Sequence, residues 1–227
     1  MTDIASPAER ADGAPMNVTA KICGVTTPEA VDAAIGGGAS HVGLNFFAPS
    51  PRFVSFDRAA QLAARVPGHV GRVGVFVDPD DALIERAVAA GRLDAIQLHK
   101  TMPERAAAIS ARTKLPVWAA VAVKTRADLA AARAFVGAAD RILYDAKTPD
   151  GAALPGGMGL RFDWSLLDGF AHPLPWALSG GLTAGNIAEA VRSTRATLLD
   201  VSSGVETAPG VKDTVLIASF LATVRAL

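Results

Sequence analysis

One thiol and one carboxyl group, far apart in the chain, each stand at the end of a short apolar run. Cys23 closes the run Val18 to Cys23, within Lys21-Ile22-Cys23-Gly24, and Asp145 follows Arg141 to Tyr144. A thiol acts as a general base where its thiolate is populated. A carboxyl group acts as a general acid where burial raises its pKa. Each also has a plainer reading. A free cysteine often only fills core space, and an aspartate after a strand often only shapes a turn. Lys21 stands near Cys23 and would help to ionise it, although alternation along a strand leaves its direction open.

A second set of residues suits phosphate. Ser179-Gly180-Gly181 and Ser202-Ser203-Gly204 each follow an apolar run near the C-terminal end of the chain. Glycines let backbone N–H groups approach an anion closely, and a short helix N-terminus adds its positive dipole end. Taken singly, both tripeptides read as ordinary turns. Taken as a pair at these two strand ends, they favour a phosphate cradle. Arg52, after Ser50-Pro51, offers a planar fork to a carboxylate, or is a solvated surface charge. His99, in Gln97-Leu98-His99, is a ligand contact or a satisfied core histidine. Asp200 stands two residues before the second glycine loop. His41, His69 and His172 lack metal-ligand spacing, so no metal site is expected. Met158 and Trp118, Trp164 and Trp176 read as packing.

These residues need a scaffold that gathers strand ends. From Val18 onward, apolar runs alternate with Ala-rich segments of helical spacing. The runs are Val18–Cys23, His41–Phe46, Arg72–Val77, Leu93–Leu98, Pro116–Val123, Arg141–Tyr144, Pro175–Leu178 and Leu198–Val201. Helices are expected over 28–35, 56–66, 80–91, 103–112, 126–136, 184–191 and 213–224, with a short helical piece at 164–167. Thr27 and Asp213 are N-caps, Pro28 suits a first helical position, and Gly91 ends the third helix. Eight units in about 210 residues fit a single (β/α)₈ TIM barrel of the α/β class, whose chemistry sits at the C-terminal strand ends. On an eight-strand ring, strands one and six are three apart, so Cys23 and Asp145 face each other across the mouth. An open doubly wound sheet is the rival, but the dinucleotide fingerprint is absent after the first run.

Composition agrees. The chain has 227 residues, half of them hydrophobic, and 22 basic side chains balance 22 acidic ones. That balance gives no general reason to expect nucleic acid or a membrane surface as partner. The single cysteine excludes an internal disulfide and points to a reducing compartment. Residues 1–17 read as a loose polar extension before the 18–227 barrel domain, without a signal-peptide core. No apolar run reaches the roughly 18 residues of a membrane helix. The expectation is a cytoplasmic protein, monomer or homodimer, acting on a phosphorylated small molecule.

The ordered segments resemble the phosphoribosylanthranilate isomerase family of tryptophan biosynthesis. The matching residues are Lys21-Ile22-Cys23-Gly24, Gly43-Leu44-Asn45-Phe46-Phe47 with Ser50-Pro51-Arg52, Gln97-Leu98-His99 and Asp145-Ala146-Lys147. They continue through Pro155-Gly156-Gly157-Met158-Gly159, Phe162-Asp163-Trp164, Leu178-Ser179-Gly180-Gly181-Leu182, Asp200 to Glu206 and Pro209 to Asp213. The resemblance implies a cofactor-independent Amadori rearrangement of N-(5-phosphoribosyl)anthranilate. It places the general base on Cys23 and the general acid on Asp145. It puts the anthranilate carboxylate at Arg52, Asp200 near the anthranilate end, and the phosphate on Gly180, Gly181, Ser203 and Gly204. The family usually has threonine or serine at Met158 and glycine at Lys100. The related histidine-pathway isomerases run the same chemistry with two aspartates, which Cys23 disfavours. A barrel that binds its ligand without turnover is the non-enzyme alternative.

Overall fold

The eight apolar runs pair in parallel, each beside the next in sequence, and the last returns to the first. The computed structural model describes residues 17–149 and 156–227. The expected extension, apart from Asn17, lies outside these residues, as does Pro155 of the glycine-rich motif. The strands are β1 (Thr19–Cys23), β2 (His41–Asn45), β3 (Gly71–Val77), β4 (Ala95–His99), β5 (Val117–Val123), β6 (Arg141–Ala146), β7 (Trp176–Leu178) and β8 (Leu198–Val201). They close in the order β1 to β8, with Lys21 opposite Asp200 at the β1–β8 seam. The barrel replaces the open-sheet rival.

The strands are apolar on both faces because both faces are buried. Ile22, Val42, Leu44, Ile96, Leu98, Ile142, Leu178 and Leu199 belong to the larger core, between sheet and helices. A smaller cluster of Val73, Ala95, Trp118, Leu143, Ala177 and Leu198 fills the barrel interior. Of the six inward residues two positions further along these strands, four are polar: Gln97, Asp145, Ser179 and Asp200, all buried. Period-2 alternation thus stacks a polar layer on an apolar floor, at the C-terminal end of the barrel.

The α-helices are α1 (Pro28–Gly36), α2 (Phe56–Ala63), α3 (Asp81–Gly91), α4 (Pro103–Thr113), α5 (Ile187–Thr194) and α6 (Thr214–Arg225). Thr27, Ser55, Asp80 and Asp213 cap four of them, each accepting a backbone N–H of the first turn. Several expected boundaries change. Residues Arg126–Phe135 wind as a 3-10 helix, because Leu129, Ala132 and Phe135 are buried three apart. The helix expected from Ala184 begins at Ile187. Asn186 accepts from Thr183 N–H and donates to Gly181 O, a local turn that competes with helix. The helix expected to Val66 stops at Ala63, and Arg65 and Val66 continue with three-residue bonds. Gly91 is the last helical residue, while Arg92 takes the left-handed turn. Trp164–Leu167 is a 3-10 turn.

One element was not expected. Beyond β8 and a 3-10 turn at Ser203–Val205, the chain forms a hairpin of β9 (Glu206–Ala208) and β10 (Val211–Lys212). Gly210 turns it at positive φ, pressed so close to Pro51 O that a Cβ would overlap it. The hairpin therefore sits against the loop that carries Arg52.

Candidate active site

The polar layer lines a cleft of about 780 Å³, open solvent included, at the C-terminal mouth of the barrel. Cys23, Arg52, His99, Asp145, Gly180, Gly181, Asp200, Ser203 and Gly204, all expected from sequence, line this one cleft.

Asp145, next to last in β6, is almost fully buried. Its Oδ1 accepts the N–H of its neighbour Ala146, at 2.9 Å. Glycines flank the carboxyl group. A Cβ at Gly156 would overlap Oδ2, and one at Gly180 would come within 3.1 Å of Oδ1. Burial, with the nearby Asp200 charge second, pushes the Asp145 pKa up to about 7. That is the tuning a general acid needs at neutral pH.

Cys23 lies across the mouth, three strands away through β8 and β7. Burial raises its pKa, and the Asp200 charge raises it further, while Lys21 and Lys212 oppose both. Gly43 of β2 lies opposite, where a Cβ would crowd both Cys23 Sγ and Lys21 Cε at 3.1 Å. Lys21 is fully buried, and its Nζ binds Asp200 Oδ1 at 2.8 Å. Residues two apart on a strand share a face, so alternation turns Lys21 toward the thiol rather than away. The charge of Lys21 is thus balanced by Asp200 within reach of Cys23. Asp200 Oδ2 is 3.5 Å from Ser179 Oγ.

His99 Nε2 is 2.9 Å from Gln97 Nε2. With the amide donating, the imidazole is neutral and carries its proton on Nδ1. Burial, helped by Lys21, lowers its pKa to about 4, so it stays neutral. Gln97 Oε1 is buried with no partner among the described residues. Arg52 is also buried. Its Nε and Nη2 bind both oxygens of Glu206, at 2.8 and 2.7 Å.

The glycine loops leave backbone donors free. Among the described residues, the N–H groups of Gly180, Gly181, Ser203 and Gly204 donate to no protein acceptor. Gly180 and Gly181 adopt the left-handed conformation, with φ of 89° and 63°. A Cβ at Gly204 would collide with Leu182 O in the neighbouring loop.

The comparisons add to this geometry. The family model for N-(5'-phosphoribosyl)anthranilate (PRA) isomerase matches residues 20–223. The chain belongs to this family. It is 55% identical to the N-(5'-phosphoribosyl)anthranilate isomerase of Rhodospirillum centenum over 214 residues, covering 93% of this chain and all of the relative. The Paramagnetospirillum magneticum isomerase is 52% identical over 211 residues, covering 92% and 98%. Among solved structures, the phosphoribosylanthranilate isomerase of Thermotoga maritima superposes with a TM-score of 0.81 at 35% identity, covering 92% of this chain and all of that one. A phosphoribosylanthranilate isomerase in complex with reduced 1-(o-carboxyphenylamino)-1-deoxyribulose 5-phosphate gives 0.79 at 33% identity, with the same coverage.

Sequence reasoning gave no role to Gln97, Glu206 or Lys212. Gln97 carries a local signal, two residues before His99 on the same strand face. Glu206 carries no signal of its partner, since Arg52 lies 154 residues away.

Proposed function

We infer that this chain isomerises N-(5'-phosphoribosyl)anthranilate to 1-(2-carboxyphenylamino)-1-deoxyribulose 5-phosphate. The observation that carries the reading is a thiol and a pKa-raised carboxyl group on opposed strand ends, beside a four-amide anion cradle. Asp145 donates its proton to the ribose ring oxygen as the C1–O bond breaks, giving an open-chain Schiff base. Cys23 thiolate takes the C2 proton, and the electron pair moves into an enolamine. Protonation at C1 and loss of the hydroxyl proton at C2 give the ketone. No atom is gained or lost, and the acid and base need no cofactor. The phosphate anchors at Gly180, Gly181, Ser203 and Gly204, where amides and the turn at Ser203 supply the positive field. Arg52 receives the aryl carboxylate, with His99 and Asp200 lining the ring end.

Steady-state turnover of phosphoribosylanthranilate generated in situ tests this reading. Conversion to the ketose, followed by loss of substrate fluorescence, is expected. Saturable binding without conversion would instead make the chain a binding barrel.

The cradle makes its own prediction. Gly204→Ala forces the two loops apart, because its Cβ overlaps Leu182 O. Loss of one amide contact to a charged group costs about 1.5–3 kcal/mol, so KM is expected to rise about tenfold or more. Reduced affinity for inorganic phosphate as a competitive inhibitor would accompany it. An unchanged KM would move the phosphate elsewhere.

A further inference from the structure

The mouth of the barrel holds a second charged cluster, beside the acid and the base rather than among them. Arg52, Glu206 and Lys212 have side chains only 6%, 3% and 0% exposed. Glu206 grips the Nε edge of Arg52 with both oxygens. Arg52 Nη2 also donates to Gly157 O at 2.8 Å, in the glycine-rich loop beside Asp145. Lys212 Nζ binds Glu206 Oε1 at 2.5 Å and donates to Ser202 O and Oγ at 3.1 and 3.2 Å. Ser202 Oγ in turn donates to Cys23 O at 3.2 Å.

Two features of this cluster point to an anion. One carboxylate serves two cations, so a positive charge is left over in a site where unpaired charge is costly. Arg52 Nη1 makes no hydrogen bond among the described residues. It lies beside Gly157, where a Cβ would come within 2.7 Å of it. Both residues line the cleft.

We propose that Glu206 is a positioning residue for the substrate's carboxylate. It fixes the guanidinium of Arg52 by one edge, so that Nη1 is the nitrogen presented to the ligand. With Lys212 it leaves one positive charge, which a single carboxylate neutralises. The β9–β10 hairpin is the mount: it carries both Glu206 and Lys212 and is braced on Pro51 through Gly210. Glu206 stays anionic there, since Arg52 and Lys212 outweigh the effect of burial. The device selects an anthranilate-type aglycone over a neutral one. It rests on the reading of Arg52 given above.

A double-mutant cycle tests it, using Arg52→Ala, Glu206→Gln and the pair. Two inhibitors are compared: reduced 1-(o-carboxyphenylamino)-1-deoxyribulose 5-phosphate, and the same compound made from aniline, which lacks the carboxylate. Glu206→Gln is expected to raise KM about tenfold, with kcat changed less than about threefold. The carboxylate inhibitor should weaken to the same extent and the aniline inhibitor should not. In the Arg52→Ala background Glu206→Gln should add nothing, because its effect runs through Arg52. Additive losses, or equal weakening of both inhibitors, overturn the proposal and leave the Arg52 reading standing. If Arg52→Ala itself does not distinguish the two inhibitors, the Arg52 reading fails and the proposal with it. Should Glu206→Gln fail to fold, Lys212→Met gives the same readout. It removes the surplus charge, so it too should weaken only the carboxylate inhibitor, and equal weakening of both overturns the proposal.

Discussion

Asp145→Ala is expected to lower kcat by about 10²- to 10⁴-fold, the usual contribution of a positioned acid. Asp145→Asn should do the same, because an amide keeps the shape and the hydrogen bond from Ala146 N–H but cannot supply the proton. The pH profile makes the assignment specific. The carboxyl group must be protonated and Cys23 ionised at once, yet Asp145 titrates at about 7 and Cys23 above its ordinary range. Below pH 7 the acid is in place and the rate rises with the thiolate fraction. Between the two pKa values the loss of acid cancels the gain of thiolate, so kcat/KM is flat. Above the thiol pKa it falls. The break near pH 7 on the rising side therefore belongs to the acid, and it should vanish in Asp145→Asn.

Stability runs the other way. The unfolded chain releases this proton at an ordinary carboxylate pKa, whereas the native protein holds it to about 7. The native state thus binds more protons across that window, and stability falls as pH rises through it. Asp145→Asn should melt higher than the parent at pH 8 and no higher at pH 3, while being almost inactive. A variant that lost activity and stability together would mark Asp145 as structural instead. Gain of stability with loss of function is the mark of a site residue held against its preference.

Much of this arrangement was legible because it follows from short-range rules. The order of apolar runs and helical segments set the barrel, and the barrel set which residues share its mouth. Cys23, Asp145 and the two glycine loops follow from strand position alone. What stayed hidden depends on approach between distant segments. The tight winding of Arg126–Phe135 follows from burial every third residue, which the helical reading averaged away. The β9–β10 hairpin is five strand residues in all, too short to show alternation. Glu206 gains its meaning only from Arg52, brought to it by closure of the barrel. The spacing of Lys21 from Cys23 decides its face, since residues two apart on a strand point the same way. The acidity of Asp145 likewise depends on burial and on Asp200, neither visible in the local sequence.

Cys23→Ala is expected to lower kcat by about 10²- to 10⁴-fold while the barrel stays folded. The loss should be no smaller in Cys23→Ser, whose hydroxyl ionises far above any working pH. The space-filling alternative predicts the reverse ordering: a modest stability change, about 1 kcal/mol, and near-normal turnover. Near-normal turnover by purified Cys23→Ala would remove the base from the mechanism. The chain supplies an independent probe, because Cys23 is its only cysteine. Alkylation by iodoacetamide reads this one thiol, and its rate follows the thiolate fraction. The rate should climb with pH to the same pKa at which kcat/KM turns down, since one ionisation governs both. Lys21→Met should move both pKa values upward together, because the ammonium opposes the burial and the Asp200 charge that raise the thiol. The reduced product analogue, filling the cleft between Cys23 and Asp145, should slow alkylation. If the two pKa values part company, the group that turns the rate down is not Cys23, and the base must be sought among the other residues of the mouth.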